Sequence, residues 1–453
     1  MDTMTLAERL ASYATALEYD HLPGEVVHEV KRRVIDALGC ALGGYDGQPC
    51  RAAREVAAGI GAEKGATILG TAKKTSPELA AFANGIMVRY LDYNDTYLSK
   101  EPAHPSDNIP AALAVAEAMH RDGRELIAAI VVAYEVQCRL CDGASLRARG
   151  WDHVTYGAFS TSLAAAKLLW LDESRTANAV ALAGVANIAL RQTRVGELSM
   201  WKGCAFANAA RNGVFAARLA MAGMTGPREV FEGPCGFIKL VSGPLELEPF
   251  GGDGRRFKIL DTSIKYHPAE YHSQAAIEAA LALREGIDPE DIEAVEVRAF
   301  DAAVDIIADP EKWQPRSRET ADHSLPYIVA AALMDGEITE RQFAEERMRD
   351  PALRALVQKV KVHRDPELTR GNPGAIPTVV EVVAKGKKMS KRVDYPRGHA
   401  RNPMSDKEVE AKFRMLSRTR LSEERMERVL ESIWRLEEVG DVGELFPLLA
   451  VGP

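Results

Sequence analysis

No glycine-rich G-x-G-x-x-G follows a strand pattern in this chain, and no P-loop, G-x-S-x-G or H-E-x-x-H occurs. These absences argue against a nucleotide cofactor, a serine hydrolase and a zinc protease. Cysteine is sparse: six residues, Cys40, Cys50, Cys138, Cys141, Cys204 and Cys235, are spread along 453 positions. That is not a disulfide scaffold, and it offers no recognisable set for an iron–sulfur cluster. Cys138 and Cys141 form a C-x-x-C, but with no second pair and inside a helical pattern they read as two buried helix cysteines. Long apolar runs are also missing. The most apolar, Leu126 to Tyr134, is too short to span a bilayer. The start, Met1 to Ser12, carries Asp2, Glu8 and Arg9 among its apolar residues and has no basic start followed by a long apolar stretch, so it does not read as a signal peptide; a cytoplasmic protein is expected. Charge of one sign is not in large excess. The 57 Lys and Arg against 65 Asp and Glu leave −8, which advertises neither nucleic acid nor an anionic membrane as partner.

What remains is an ordinary soluble composition, 46% hydrophobic and 27% charged, in a chain too long for one core. Residues 5 to about 260 read as successive helices. Pro23 opens one with Val26, Val30, Val34, Leu38 and Leu42 on one face, ended by Gly43 and Gly44. Others are expected from Pro110 to His120, Arg124 to Cys141, Ala158 to Trp170, Thr176 to Leu190 and Ala205 to Ala222. Their alanine content lets helix axes approach closely. After about residue 290, Ile292 to Phe300 alternates like a half-buried strand, and Val357 to His363, Val379 to Ala384 and Met389 to Val393 read as further strands. Ala321 to Met334 and Thr339 to Met348 look helical between them. Helix returns in Val409 to Met415, behind a Ser405–Glu408 capping box, and in Ser422 to Leu436. The fold class is mainly α. A large all-α domain over 1–263 is completed by 403–453, and a smaller α+β domain covers 264–402.

Five polar segments stand out. Asp92 to Asn108, a long loop between helices, holds Asp92, Asp95, Thr96, His104 and Asp107. It suits a functional loop or a hydrophilic connector with caps. Trp151 to Tyr156 offers His153, a lone histidine that also suits a structural role. Arg191 to Arg194, Lys202 and Arg211 supply cations of the kind a polycarboxylate needs, or a solvated face. Lys265 to Gln274 gathers Lys265, His272 and a proline turn at the domain junction, as a site or as a polar hinge. Arg318 to Tyr327 reads as a helix start capped by Asp322 or Ser324.

Together these segments resemble the MmgE/PrpD family, which contains 2-methylcitrate dehydratase, cis-aconitate decarboxylase and iminodisuccinate epimerase. Leu91-Asp-Tyr-Asn-Asp-Thr96, His104-Pro-Ser-Asp-Asn108, Asp152-His-Val, Glu197 to Lys202, Pro268 to Gln274, Asp322 to Tyr327 and Tyr395-Pro-Arg-Gly-His399 with Asn402-Pro403 carry the likeness, in order, over nearly the whole chain. It implies a helical domain with an α+β lid, a homodimer, a site between the domains, and work on a small tricarboxylate without metal or organic cofactor. The Thr96-to-His104 spacing, Glu270 where decarboxylases place a histidine, and Arg211 where they place a lysine make dehydration the expected activity, ahead of decarboxylation or epimerisation. A helical scaffold without catalysis is the alternative of another class. Proton transfer beside a carboxylate needs a base and cations. Asp92, His104, Lys265 and His272 are therefore the expected catalytic set, with His104 or His272 exchanging the proton. Thr96, His153, Arg194, Lys202, Arg211 and Tyr327 are the expected substrate-binding set.

Overall fold

Capping chemistry decides where the helices begin. Asp122 accepts from the Glu125 amide at 2.8 Å while Glu125 reaches back to the Asp122 amide, which starts the Gly123–Gly143 helix. Ser405 and Glu408 do the same for Asp406–Ser417, and Pro23 precedes Gly24–Gly43. The computed structural model describes residues 4–452. Met1 to Thr3, including the Asp2 of the expected leaderless start, and Pro453 lie outside the described residues. Among the described residues, no helix is long and apolar enough to cross a membrane.

The protein is mainly α-helical. One apolar cluster joins buried residues from Leu6 to Ile264 with others from Met404 to Leu449, so the chain's end packs with its first half. Small residues permit that density. A Cβ on Gly213, in the Ala205–Met221 helix, would fall 2.9 Å from the Ala158 carbonyl of the Thr155–Leu168 helix. A second cluster runs from Ala269 to Val393 around a four-stranded sheet. Its strand order is Val360–Arg364, Ile292–Ala299, Thr378–Ala384, Lys387–Val393, with the first pair parallel and the others antiparallel. Ile292–Ala299 alternates buried and exposed positions over most of its length, as a strand with one covered face must.

Four expected elements differ. The helix expected from Ala321 begins at Leu325, where Ser324 caps it. The helix expected to reach Leu190 stops at Ala186, where the Asn187 side-chain Nδ2 donates back to the Ala183 carbonyl. Thr339 to Met348 is not one helix. Ala344 is extended and separates two single turns, Glu340–Phe343 and Glu345–Met348. The strand expected from Val357 begins at Val360, because Asp350 caps a helix that runs from Pro351 to Gln358. Periodicity cannot tell a short apolar helix end from a strand start.

The returning C-terminal helix reaches the middle of the molecule. Lys412 pairs with the buried Asp36 at 2.6 Å and donates to the carbonyls of Tyr93 and Lys265 at 2.7 and 2.8 Å. Nearby, Gly398 takes a φ of 90° and lies so close to the Ile264 carbonyl that a Cβ there would fall 2.0 Å from it. Both contacts tie the end of the chain to the segment that carries Lys265. Lys412→Ala should destabilise the fold by about 3–5 kcal/mol, since it strands a buried carboxylate. Urea unfolding would measure this, and an unchanged midpoint would refute it. Asp36→Asn with Lys412→Met should recover much of the loss.

Candidate active site

The Pro77–Tyr90 helix ends in a residue held against its own preference. Asp92 adopts a φ of 51°, in the left-handed region, just past the helix C-terminus. This turn aims its carboxylate back at the helix, where Arg89 binds Oδ1. Lys265 donates to the same oxygen at 2.9 Å and to the Asp92 carbonyl at 2.8 Å. Lys202 lies 3.4 Å and the His323 ring 3.7 Å from Oδ2. Burial opposes the charge on Asp92, but Arg89, Lys202 and Lys265 together hold its carboxyl well below the usual carboxylate range. Burial in turn lowers Lys265 and pushes Lys202 down to about 8, partly offset by Asp322 and Asp92.

Around this hub stand histidines whose Nδ1 edges are all taken. His104 Nδ1 meets the Asp95 carbonyl at 2.7 Å, so Nδ1 carries the proton and Nε2 accepts from Arg89 Nη2 at 3.0 Å. Burial, then the Arg89 and Lys265 charges, keep His104 well below the ordinary histidine range, hence neutral near pH 7. His153 Nδ1 is 3.0 Å from Asp152, His272 Nδ1 is 2.6 Å from Glu270, and His323 Nδ1 is 2.5 Å from Asp322. Carboxylate-backed imidazoles have a fixed tautomer and orientation and keep Nε2 for a ligand. His153 Nε2 is a buried atom with no hydrogen-bond partner among the described residues, and Asp92 Oδ2 is held only by the looser ion pairs to Lys202 and His323. Burial works against the charge of Glu270, yet His272 holds it below the ordinary range; Arg194 and His153 do the same for Asp152.

Arg89, Asp92, Thr96, His104, His153, Arg194, Lys265, His272 and His323 line one cavity of about 190 Å³ between the two apolar clusters. Residues 8–249 match the MmgE/PrpD N-terminal domain and residues 267–436 the MmgE/PrpD C-terminal domain. The chain belongs to the MmgE/PrpD family. It is 31% identical to the 2-methylcitrate dehydratase of Cupriavidus necator over 86% of this chain and 85% of that protein. It is 29% identical to the 2-methylcitrate dehydratase of Escherichia coli strain K12, over 81% of each chain. The human cis-aconitate decarboxylase is 27% identical over 98% of this chain and 95% of that protein.

In this MmgE/PrpD chain the expected site residues fall into three groups. Asp92, His104, Lys265, His272, Thr96, His153 and Arg194 reach the cavity. Thr96 and Arg194 are engaged as well: Thr96 Oγ1 donates to the Ala103 carbonyl at 3.2 Å, and Arg194 Nε to Asp152 at 3.0 Å. Lys202 stands behind the wall, against Asp92 and Asp322. Arg211 and Tyr327 are not brought there. Arg211 folds onto its neighbour Asn212 at 3.1 Å and over the Phe82 ring. The Tyr327 hydroxyl is used by the Gln342 carbonyl inside the second apolar cluster, and Ser324 caps its helix. Asp92 does not touch His104; Arg89 bridges them. Sequence reading passed over Arg89 because it lies within a helix, and over His323 because its segment read as a helix start. Arg147 and Lys312 also line the cavity and were not singled out for it, and Arg191, read only as part of a cationic stretch, lines it too.

Asp92, Asp322 and His323 hold ligand atoms within 4.8 Å of one another, the spacing of a cation site. The Lys202 ammonium already sits 3.4 and 3.7 Å from the two carboxylates, and Lys265 and Arg89 take the other Asp92 oxygen. The donor set is neutralised by the protein's own cations and does not fit a divalent metal. Histidine ¹⁵N NMR should find His104 neutral at pH 6, with the proton on Nδ1. A protonated His104 at that pH would contradict the site's electrostatics.

Proposed function

We propose that this protein is a hydro-lyase of the 2-methylcitrate dehydratase type, removing water from 2-methylcitrate or a related tricarboxylate such as citrate. The observation that carries the reading is the cavity's pairing of a neutral imidazole, His104, with a carboxylate-backed one, His272, beside the buried ammonium of Lys265. A substrate carboxylate arriving near Arg89 competes for that guanidinium and releases His104 Nε2. The freed lone pair takes the proton from the carbon next to the carboxylate. Its bonding electrons form the carbon–carbon double bond, the carbon–oxygen bond breaks, and His272, backed by Glu270, protonates the departing hydroxide to water. Lys265 stabilises the charge that gathers on the carboxylate. Asp92 serves as the anchor of the cations, and His153 hydrogen-bonds the substrate. The reading calls on no metal and no organic cofactor. The unit over 264–402 acts as a lid on the helical unit, in a cytoplasmic homodimer.

The likeness to cis-aconitate decarboxylases over nearly the full chain supports a second reading, loss of carbon dioxide from the same class of acid. Incubating the protein with 2-methylcitrate, citrate, cis-aconitate and iminodisuccinate, and identifying products by NMR, separates the two. An alkene formed without carbon dioxide is expected. No turnover and no calorimetric binding of any of them would leave only a scaffold.

His104→Ala should lower turnover by about a hundredfold or more, and wild-type-like turnover would remove it from the mechanism. The pH profile follows from the same groups. His104 stays unprotonated well below its ordinary 6.5, so lowering the pH from neutral to that value should cost little activity through this residue. Lys202 is an ammonium below about 8 and loses its proton above it, so activity should fall as pH rises through that value. A flat profile there would refute the role of Lys202.

A further inference from the structure

The cavity's cations are unequally committed. Arg89 is bound to Asp92 and His104, Lys265 to Asp92, and Arg194 to Asp152 and the Lys202 carbonyl. Lys312 faces Asp309 at 3.6 Å. Arg147 and Arg191 differ. Both line the cavity, both are half-buried, and neither guanidinium has a hydrogen-bond or ion-pair partner among the described residues.

Their placement is built rather than incidental. After the Gly123–Gly143 helix, the chain is anchored to Glu101, which accepts from the Arg147 amide at 2.9 Å and from the Ser145 hydroxyl at 3.0 Å. The chain is then zipped antiparallel to the segment before Arg191. Trp151 bridges Leu190, the Asp152 amide donates to the Ala189 carbonyl at 2.8 Å, and the Arg191 amide donates to the Gly150 carbonyl at 3.1 Å. The two arginines therefore share one wall of the cavity. Two acids lie near Arg191: Asp152, already paired with Arg194 at 3.0 Å, and Glu101, which is buried and lines the same cavity. Two guanidiniums against one carboxylate leave a local surplus of one positive charge, and one more carboxylate would balance it.

We propose that Arg147 and Arg191 form a clamp for a substrate carboxylate remote from the carbon that reacts, making the site selective for tricarboxylates over dicarboxylates. This rests on the reading of the cavity as a tricarboxylate site. The clamp gives no proton and touches no breaking bond. Its contribution is equal in the ground and transition states, so it lowers KM and leaves kcat alone.

The test uses Arg147→Met and Arg191→Met, which keep the stem and remove the guanidinium. Each should raise KM for the tricarboxylate by about tenfold or more with kcat within about threefold, as expected for loss of charge-assisted hydrogen bonds. Calorimetry with the unreactive tricarballylate should weaken in parallel, whereas the weaker binding of glutarate should change by less than about threefold. Circular dichroism and thermal melting confirm that each variant is folded, and Arg147→Lys, which keeps the charge without the fork, should fall between. Unchanged KM in both variants, a fall in kcat alone, or equal loss for tricarballylate and glutarate overturns the clamp while leaving the dehydratase reading intact. Failure of the wild-type protein to bind any tricarboxylate overturns both.

Discussion

The Asp92 carboxylate is the constraint on which the site depends. A lone charge buried this deeply would be too costly to keep, and it is kept because Arg89, Lys202 and Lys265 converge on it. The relation is mutual. Without Asp92, three cations would crowd one another in a region that water barely reaches. Arg89 comes from the helix that precedes the loop, Lys202 from the short turn ahead of the Ala205–Met221 helix, and Lys265 from the junction between the two apolar clusters. Neutralising one carboxylate thus draws together distant stretches of chain, and the left-handed turn at Asp92 is the local strain accepted for it.

The histidines extend the same logic outward. Each has its Nδ1 edge fixed by a carbonyl or a carboxylate, so the proton positions are set before any ligand arrives. Preorganisation of this kind is what a reaction passing through a carbanion-like state needs, since reorienting groups during the reaction would add to the barrier. The chain's overall negative charge does not oppose this, because the acids in the cavity wall are largely spent on holding the bases in place.

Much of the fold was legible because proline, glycine and capping side chains mark helix ends irrespective of tertiary context. Pro23 and Ser405 each did so. The junctions failed where a side chain overrode the pattern, as Asn187 and Asp350 do. In the site, the residue types that cluster in loops were readable and the partners inside regular elements were not. Arg89 looks like any arginine at a helix end until the fold turns it inward. Arg191 and Arg194 differ by one helical turn. Nothing in their spacing tells which will be consumed by Asp152 and which left open. Tyr327 sits in a polar-looking segment yet points into an apolar core, because the helix it starts buries that face.

The reach of Lys412 has a consequence for biosynthesis. Every side chain around the cavity lies between positions 89 and 323, but the ammonium that secures the carbonyls of Tyr93 and Lys265 is carried almost ninety residues further on. A chain still emerging from the ribosome can hold all of its chemistry and lack the fastening that sets it in place. Fastening of the Tyr93 and Lys265 carbonyls thus waits until the Asp406–Ser417 helix has been made and has packed back onto the first half of the chain.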